Sequence, residues 1–152
     1  MLEIRKAILE DETQVFELLK QFPSENTSGT QSFKWDRGVA TFREILGDEE
    51  KGTILLAVEG QQLLGICSLS YPIAIHCAGT YSCIEEFIVS ELSRGKGVGG
   101  KLLEAAISLT TERGCHEIQV NRPSEVGYPV YLRHGFLDAG KHLQLRLPRR
   151  EP

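Results

Sequence analysis

The period of hydrophobic and polar positions changes several times along the chain, and each change predicts a boundary between elements. Residues 2–7 alternate between apolar and charged side chains, which predicts a first strand. The next segment has helical spacing after an acidic first turn, and this helix is predicted to end at Phe22, before Pro23. Residues 24–34 are mostly small or polar, which predicts an exposed loop, and helical spacing returns over residues 35–46.

Strands dominate the middle of the chain. Residues 53–59 and 63–71 are rich in branched apolar side chains and flank a turn at Gly60, which predicts a hairpin. Pro72 cannot donate a backbone hydrogen bond, so a bulge, a bend or a sheet edge is predicted there. Residues 81–89 form a third predicted strand, and the three strands are expected to be antiparallel in succession.

The last third of the chain predicts two helices and two strands. The first helix carries apolar side chains at positions i, i+3, i+4 and i+7 and ends at Gly114. Residues 116–121 predict a short strand, and a second helix is predicted from residue 124 or 125 to His134. Residues 143–147 alternate strictly, which predicts a last strand, and residues 149–152 are expected to form a flexible tail.

A glycine-rich stretch connects the strand at residues 81–89 to the following helix. It reads Arg94-Gly95-Lys96-Gly97-Val98-Gly99-Gly100. Glycine permits positive φ angles and the close approach of a ligand to the backbone, and the amides at a helix N-terminus favour an anion. The stretch is therefore predicted to hold the phosphate of a cofactor, with added positive charge from Arg94 and Lys96.

Two nucleotide-binding motifs match this stretch only in part. The dinucleotide fingerprint G-x-G-x-x-G needs an apolar strand directly before it and an acid near the end of the next strand, where this chain has Asn121. The P-loop motif needs a hydroxyl that binds magnesium, and this chain has Leu102 at that position. Each motif lacks a residue that its chemistry requires, so neither is favoured.

A third motif, R-x-x-G-x-G, matches residues 94–99, and a second signature, Y-x-x-x-G-F, matches residues 131–136. With these two motifs in this order, the chain resembles the GNAT superfamily of N-acetyltransferases over nearly its whole length. The resemblance implies a single α/β domain over residues 1–148, with a mixed, mostly antiparallel twisted sheet of six or seven strands flanked by about four helices. It also implies a cofactor cleft between the strands predicted at residues 81–89 and 116–121.

The resemblance implies acetyl-CoA as co-substrate and direct acetyl transfer to a primary amine of a small molecule, with no metal and no covalent enzyme intermediate. Two alternatives stay open: an acetyltransferase for protein lysines or N-terminal amines, and a noncatalytic acyl-CoA-binding regulatory module. The expected cofactor-binding residues are Ile88, Val89, Arg94, Gly95, Lys96, Gly97, Val98, Gly99, Asn121 and Tyr131.

Three side chains are candidates for catalysis. By the resemblance, Tyr131 is the general acid that assists the departing coenzyme A thiolate, with Tyr128 as its substitute. Glu85 and Glu86 could accept the proton of the amine or hold a cationic substrate. Because neighbouring residues of a strand point to opposite faces, only one of the two carboxylates is expected to reach the acceptor.

Two further groups of residues are candidates beside these three. The resemblance places Phe33 and Trp35 at one wall of the acceptor pocket, and packing in the core is the alternative for both. Histidine can act as a base, and the three candidates of this kind are His76, His116 and His134.

Composition narrows the classes of partner. The 152 residues carry a net charge of -4, which argues against a nucleic-acid surface and favours a cationic substrate. Four cysteines occur without a C-x-x-C pair or zinc-type histidine spacing, so they are expected to be reduced, mostly packed thiols.

The absence of a signal core and of a long apolar run predicts a cytoplasmic protein without membrane contact. The resemblance is compatible with a homodimer.

Overall fold

A twisted sheet with helices on both sides forms the fold. In the computed structural model, which describes residues 1–21 and 31–148, seven strands are formed. They are β1 (Leu2–Lys6), β2 (Gly52–Glu59), β3 (Gln62–Ser70), β4 (Ile73–Ala74), β5 (Gly79–Thr80), β6 (Ser82–Val89) and β7 (Ile118–Val120). Five strands form the main sheet in the order β1-β2-β3-β6-β7, and β4 pairs with β5 in a separate ribbon. The number of strands agrees with the predicted six or seven, but they are divided between two sheets.

Four α-helices cover the main sheet, as predicted: α1 (Glu12–Lys20), α2 (Gln31–Leu46), α3 (Val98–Glu112) and α4 (Tyr128–Arg133). Helices α1 and α2 pack on one face through a core that includes Leu18, Phe42, Ile54, Leu56 and Ile66. Helices α3 and α4 pack on the other face through a core that includes Leu102, Leu103, Leu55, Cys67 and Tyr131. Alternation along β2 and β3 sends successive side chains to opposite cores, which explains why both strands are buried almost throughout. In the part of the chain that the structure describes, no helix is long and apolar enough to cross a membrane.

The start of α2 differs from the prediction. The helix begins at Gln31, four residues before the predicted start at Trp35, so the predicted loop is wrong for residues 31–34. Gln31 and Lys34 are good helix formers, and a polar composition alone does not prevent a helix. The remainder of that loop, together with the predicted helix end at Phe22 and Pro23, lies in residues 22–30, outside the described residues, as does the tail at residues 149–152.

The predicted last strand at residues 143–147 is wrong, because no strand is assigned to this described segment. Its alternating side chains are exposed: Leu143 to 89%, Leu145 to 82% and Leu147 to 75%. Alternation becomes a strand only where a neighbouring strand accepts its backbone hydrogen bonds. β7, with three residues, is paired with β6, and the segment is held near it by a hydrogen bond of 2.8 Å from Arg122 to Gln144.

A bulge in β6 shapes the centre of the sheet. In the antiparallel pairing of β3 with β6, Ser68 lies opposite Glu86 and the next residue, Leu69, lies opposite Ile84. Glu85 is therefore an extra residue in β6. A bulge of this kind bends the strand and increases its twist.

β6 and β7 diverge beyond this bulge. The two strands are parallel and pair only from Ser82 to Ile84 on β6 and from Ile118 to Val120 on β7. From Glu86 onward, β6 is paired on its β3 side, while its other edge faces the gap between the two strands. This gap corresponds to the cleft that the sequence predicted.

Candidate active site

The glycine-rich turn forms one end of the gap. Gly95 and Gly97 have φ angles of 79° and 80°, and apart from their chain neighbours no described residue lies within 4 Å of the position that a Cβ would take at either glycine. Helix α3 begins at Val98, directly after Gly97. Because the first amides of a helix have no intrahelical acceptor, those at Val98 to Gly100 are available to a ligand. The turn therefore offers backbone N–H groups on an open surface, as phosphate binding requires.

The open edge of β6 offers further backbone groups. The Ser90 amide donates to the Leu64 carbonyl at 2.8 Å and the Glu86 amide donates to the Ser68 hydroxyl at 3.1 Å, so both face β3. Since N–H and C=O groups alternate in direction along a strand, the groups of Phe87 and Val89 face the gap. Ile88 and Val89 were the residues expected to contact the cofactor here. The alternation favours Val89 with Phe87 and turns the backbone of Ile88 towards β3.

Tyr131 closes the gap from the α4 side. The side chain is 4% exposed, and its ring packs against Phe87 and Phe136 at centroid distances of 5.2 and 5.3 Å. Burial raises the pKa of the Tyr131 phenol well above its usual range, so the phenol keeps its proton at neutral pH. The helix begins at Tyr128 with Pro129 in its first turn, where proline is tolerated.

Glu85 and Glu86 lie on the same face of the sheet. The Ser70 hydroxyl donates to a carboxylate oxygen of Glu85 at 2.6 Å, and the Ser68 hydroxyl donates to Glu86. Residues 68 and 70 are two apart on β3 and so share one face. The expectation that the two side chains point to opposite faces is therefore wrong. The bulge is the reason, because the extra residue cancels the alternation between the two neighbours.

Glu85, Glu86 and Tyr131 line one cavity of about 1110 Å³. The aromatic side chains of Phe16, Trp35 and Phe42 line the same cavity. Trp35 packs edge to face against Phe16 at 6.0 Å between ring centroids, so it takes part in the core and in the cavity wall together. The side chain of Phe33 lies outside the described residues.

Asn121 follows β7 and lines the same cavity. Its amide donates to the Cys83 sulfur at 3.8 Å, which is a weak contact. Burial and the neighbouring Glu85 raise the pKa of Cys83 to about 11. A thiol that stays protonated is a poor nucleophile, so Cys83 is unsuited to forming an acyl-enzyme.

The three candidate histidines lie away from the cavity lining. The Nδ1–H of His134 donates a hydrogen bond to the Val130 carbonyl at 2.8 Å, and its Nε2 lies 3.6 Å from a carboxylate oxygen of Glu104. His76 and His116 are exposed on the surface. None of the three is placed to act as the base for a substrate in the cavity.

Ser68 and Ser70 were missed by the sequence analysis. Each holds one carboxylate through its hydroxyl. A signal for them was present in the sequence, since two hydroxyl side chains two residues apart on an apolar strand predict a polar strip on one face. Their partners could not be identified without the register of β3 against β6.

Comparison with solved structures shows the same fold at low sequence identity. A predicted acetyltransferase with acetyl-CoA from Clostridium acetobutylicum aligns with a TM-score of 0.80 and 22% identity, covering 96% of each chain. Glucosamine-6-phosphate N-acetyltransferase from Arabidopsis thaliana aligns with a TM-score of 0.78 and 22% identity, covering 97% of this chain and 99% of the other. A transcriptional regulator from Bacillus halodurans C-125 aligns with a TM-score of 0.80 and 23% identity, covering 97% of this chain and 100% of the other.

A comparison with curated protein sequences gives no significant match. The sequence model of the acetyltransferase (GNAT) family matches residues 12–136, which contain helices α1 to α4, the main sheet after β1, the glycine-rich turn and Tyr131. This range includes both motifs that carried the resemblance. The chain therefore belongs to the acetyltransferase (GNAT) family.

Proposed function

We propose that the protein is an acetyl-CoA-dependent N-acetyltransferase that transfers the acetyl group directly to a primary amine of a small molecule. The observation that carries the proposal is the cavity where β6 and β7 diverge, because Tyr131 and two carboxylates line this one space. Tyr131 supplies a proton donor for the leaving group, and the two carboxylates supply negative charge where the amine binds. These are the functions that amine acetylation requires.

The residues of the gap fit acetyl-CoA. The open turn at Gly95 and Gly97 and the first amides of α3 suit a pyrophosphate, and Lys96 adds positive charge. The backbone groups of Phe87 and Val89 suit an extended amide-containing arm, since they lie along an unpaired strand edge. Bound acetyl-CoA would supply a thioester whose acetyl group passes to the amine nitrogen as coenzyme A thiol is released.

The acceptor amine binds, in this proposal, on the α1 and α2 side of the cavity. Glu85 and Glu86 provide negative charge there, and hydrogen bonds from Ser70 and Ser68 hold the two carboxylates in place. One carboxylate holds the ammonium form, and the other takes the proton as the nitrogen loses it. The aromatic wall of Phe16, Trp35 and Phe42 suits an apolar part of the same substrate.

Tyr131 acts on the other side of the reaction. Its phenol keeps its proton because burial raises its pKa, and the hydroxyl can donate a hydrogen bond to the sulfur of the leaving group. A phenol of raised pKa is a weak acid, so stabilisation of the developing negative charge contributes more than complete proton transfer. The raised pKa of Cys83 supports direct transfer over a route through an enzyme thioester.

A binding measurement tests the cofactor half of the proposal. Acetyl-CoA at 100 times its dissociation constant should stabilise the native chain by about 2.7 kcal/mol, seen as a rise in thermal midpoint. Gly97→Glu should abolish the rise, because it places a side chain and a negative charge on the turn. Gly114→Glu is the matched control: Gly114 follows the opposite end of α3 with a φ of 79°, so it carries the same backbone strain away from the turn.

A turnover measurement tests the acceptor half. Release of thiol is followed with a panel of small primary amines and with lysine-containing and N-terminal peptides. Turnover of small amines supports the proposal, and turnover of peptides alone supports the protein acetyltransferase alternative. Binding of acetyl-CoA without any turnover supports the regulatory module, and no binding contradicts all three.

A further inference from the structure

Three side chains with metal-binding atoms meet on the surface outside the cavity. His76 and Cys77 lie in a single turn of 3-10 helix after β4, and Glu117 directly precedes β7. One ligand atom from each residue lies within 4.8 Å of the other two. The Cys77 sulfur lies 3.2 Å from a carboxylate oxygen of Glu117. The cluster therefore brings nitrogen, sulfur and oxygen donors together from two segments 40 residues apart.

The backbone fixes both segments. Ala78 has a φ of 54°, a left-handed angle unusual for a residue with a Cβ, and its amide donates to the Ile75 carbonyl at 2.9 Å, which closes the turn. On the other side, the Glu117 carbonyl accepts the Ser82 amide at 3.0 Å, which ties Glu117 to the first residue of β6. Two rigid backbone anchors thus hold the three side chains in reach of each other.

We propose that His76, Cys77 and Glu117 form a binding site for a divalent cation of the zinc type. Thiolate, imidazole and carboxylate are all ligands of zinc, at about 2.0 to 2.3 Å from the ion, so a tetrahedral ion needs its ligand atoms about 3 to 4 Å apart. The observed separations of at most 4.8 Å lie close to that range. Magnesium and calcium prefer oxygen ligands alone and do not suit this set.

Three protein ligands leave a fourth tetrahedral position for water or for a further donor. Cysteine binds a metal ion as the thiolate, so metal binding at Cys77 is accompanied by release of the thiol proton.

The site lies away from the proposed transfer chemistry. It adjoins the first residue of β6, whereas the glycine-rich turn follows the last residue of that strand. The ion would join the β4–β5 ribbon to the start of β7, so its expected effect is to stabilise this end of the sheet. The proposal departs from the expectation of no metal. The sequence did not indicate this site, because Cys77 and Glu117 are too far apart in the chain to form a recognisable ligand spacing.

The test uses the full chain stripped of metal. Zinc is titrated in competition with a chromophoric chelator, and cobalt is titrated to detect the thiolate-to-cobalt absorption that a cysteine ligand produces. One zinc ion per chain and a cobalt–thiolate band are expected in the native protein. Cys77→Ser should remove the band and weaken zinc binding by at least about 100-fold, and zinc should raise the thermal midpoint of the native chain alone.

His76→Ala should weaken zinc binding, because His76 is a proposed ligand. His116→Ala and Cys83→Ala serve as controls. His116→Ala should leave zinc binding unchanged: His116 is also exposed and adjoins Glu117, but it lies outside the cluster. Cys83→Ala should keep the cobalt band. Native thermal midpoints for the variants in chelator would show that they fold. Absence of stoichiometric zinc, survival of the band in Cys77→Ser, or equal loss in the two histidine variants would overturn the proposal.

Discussion

At the scale of single residues, the side chain of Tyr131 carries the most chemical information. Its motif predicted the position, and the structure places it at the cavity with its ring held between Phe87 and Phe136. Packing of this kind fixes the direction of the hydroxyl before a substrate arrives. Whether Tyr131 donates a proton to the leaving group can be measured by enzyme kinetics.

We expect Tyr131→Phe to lower kcat by about 10²-fold, the low end of the usual range for a general acid, because a phenol of raised pKa is a weak donor. Acetyl-CoA affinity should stay nearly unchanged, since the ring and its packing are kept. Steady-state kinetics and a binding titration measure the two effects separately. Tyr128→Phe is the control, because Tyr128 is partly exposed and its hydroxyl contacts Asp138 at 3.3 Å. An unchanged kcat in Tyr131→Phe would show that the phenol has no part in the transfer.

The two carboxylates lead to a separate prediction. Glu85→Gln and Glu86→Gln should each raise KM for the amine, by about 10- to 100-fold, because a hydrogen bond to a charged group is lost. The variant that removes the base should also lower kcat. Glu112→Gln, at the end of α3 and exposed, should leave both constants unchanged. Native kinetics in both glutamine variants would place the acceptor elsewhere.

At the scale of elements, the sequence predicted what depends on local pattern and missed what depends on pairing. The glycine turn before α3 and the end of that helix near Gly114 follow from residues close in sequence. Helix α4, in contrast, begins at Tyr128, after the start predicted at residue 124 or 125. The bulge at Glu85 depends on the register between β3 and β6, which no local pattern specifies. The two carboxylates were therefore identified as candidates but assigned to opposite faces.

The junction of β1 with α1 gives a prediction for acid stability. Asp11 accepts two hydrogen bonds from Arg5, at 2.8 and 2.9 Å, and one from the Ile8 amide at 2.8 Å. The hydrogen bonds from Arg5 lower the pKa of Asp11 in the folded state below its value in the unfolded chain, about 3.9. Its contribution to stability is therefore present above about pH 4 and is lost as the pH falls through the folded value.

We expect Asp11→Asn to lower the thermal midpoint at pH 7, and the difference from the native chain should shrink as the pH falls below about 4. Thermal unfolding followed by circular dichroism between about pH 7 and pH 2.5 measures this difference. Glu10→Gln changes an exposed neighbouring carboxyl and serves as the control. A difference that stays constant with pH would mean that the Asp11 charge does not contribute.

At the scale of the whole molecule, the structure separates buried from exposed leucines that have the same regular spacing in the sequence. Leu102 of α3 is fully buried, whereas Leu145 is 82% exposed, although both occupy regular apolar positions in the sequence. Leu102→Ala should lower the free energy of unfolding by about 2 to 5 kcal/mol. In the monomer, Leu145→Ser should change it by less than about 0.5 kcal/mol. Chemical denaturation measures both, and a large loss in Leu145→Ser would show that the segment is buried in solution.

The exposed leucines also bear on the homodimer, which we propose as the assembly of this chain. Leu137, Leu143, Leu145 and Leu147 are each at least 75% exposed, and a second copy could cover them. Light scattering after gel filtration should then show a dimer for the native chain and a monomer for Leu143→Ser combined with Leu145→Ser. A native monomer at all concentrations would contradict the assembly, and a dimer that survives both changes would exclude these leucines from it.

The extra residue in β6 has a consequence for how chain length can vary. Deletion of Glu85 would leave Ile84, Glu86, Phe87 and Val89 on their present faces, because a bulge absorbs one residue without reversing the alternation around it. The strand would lose its bend and could continue beside β7. We therefore expect a single inserted residue to be a short evolutionary step from a continuous sheet to one with a gap at this position.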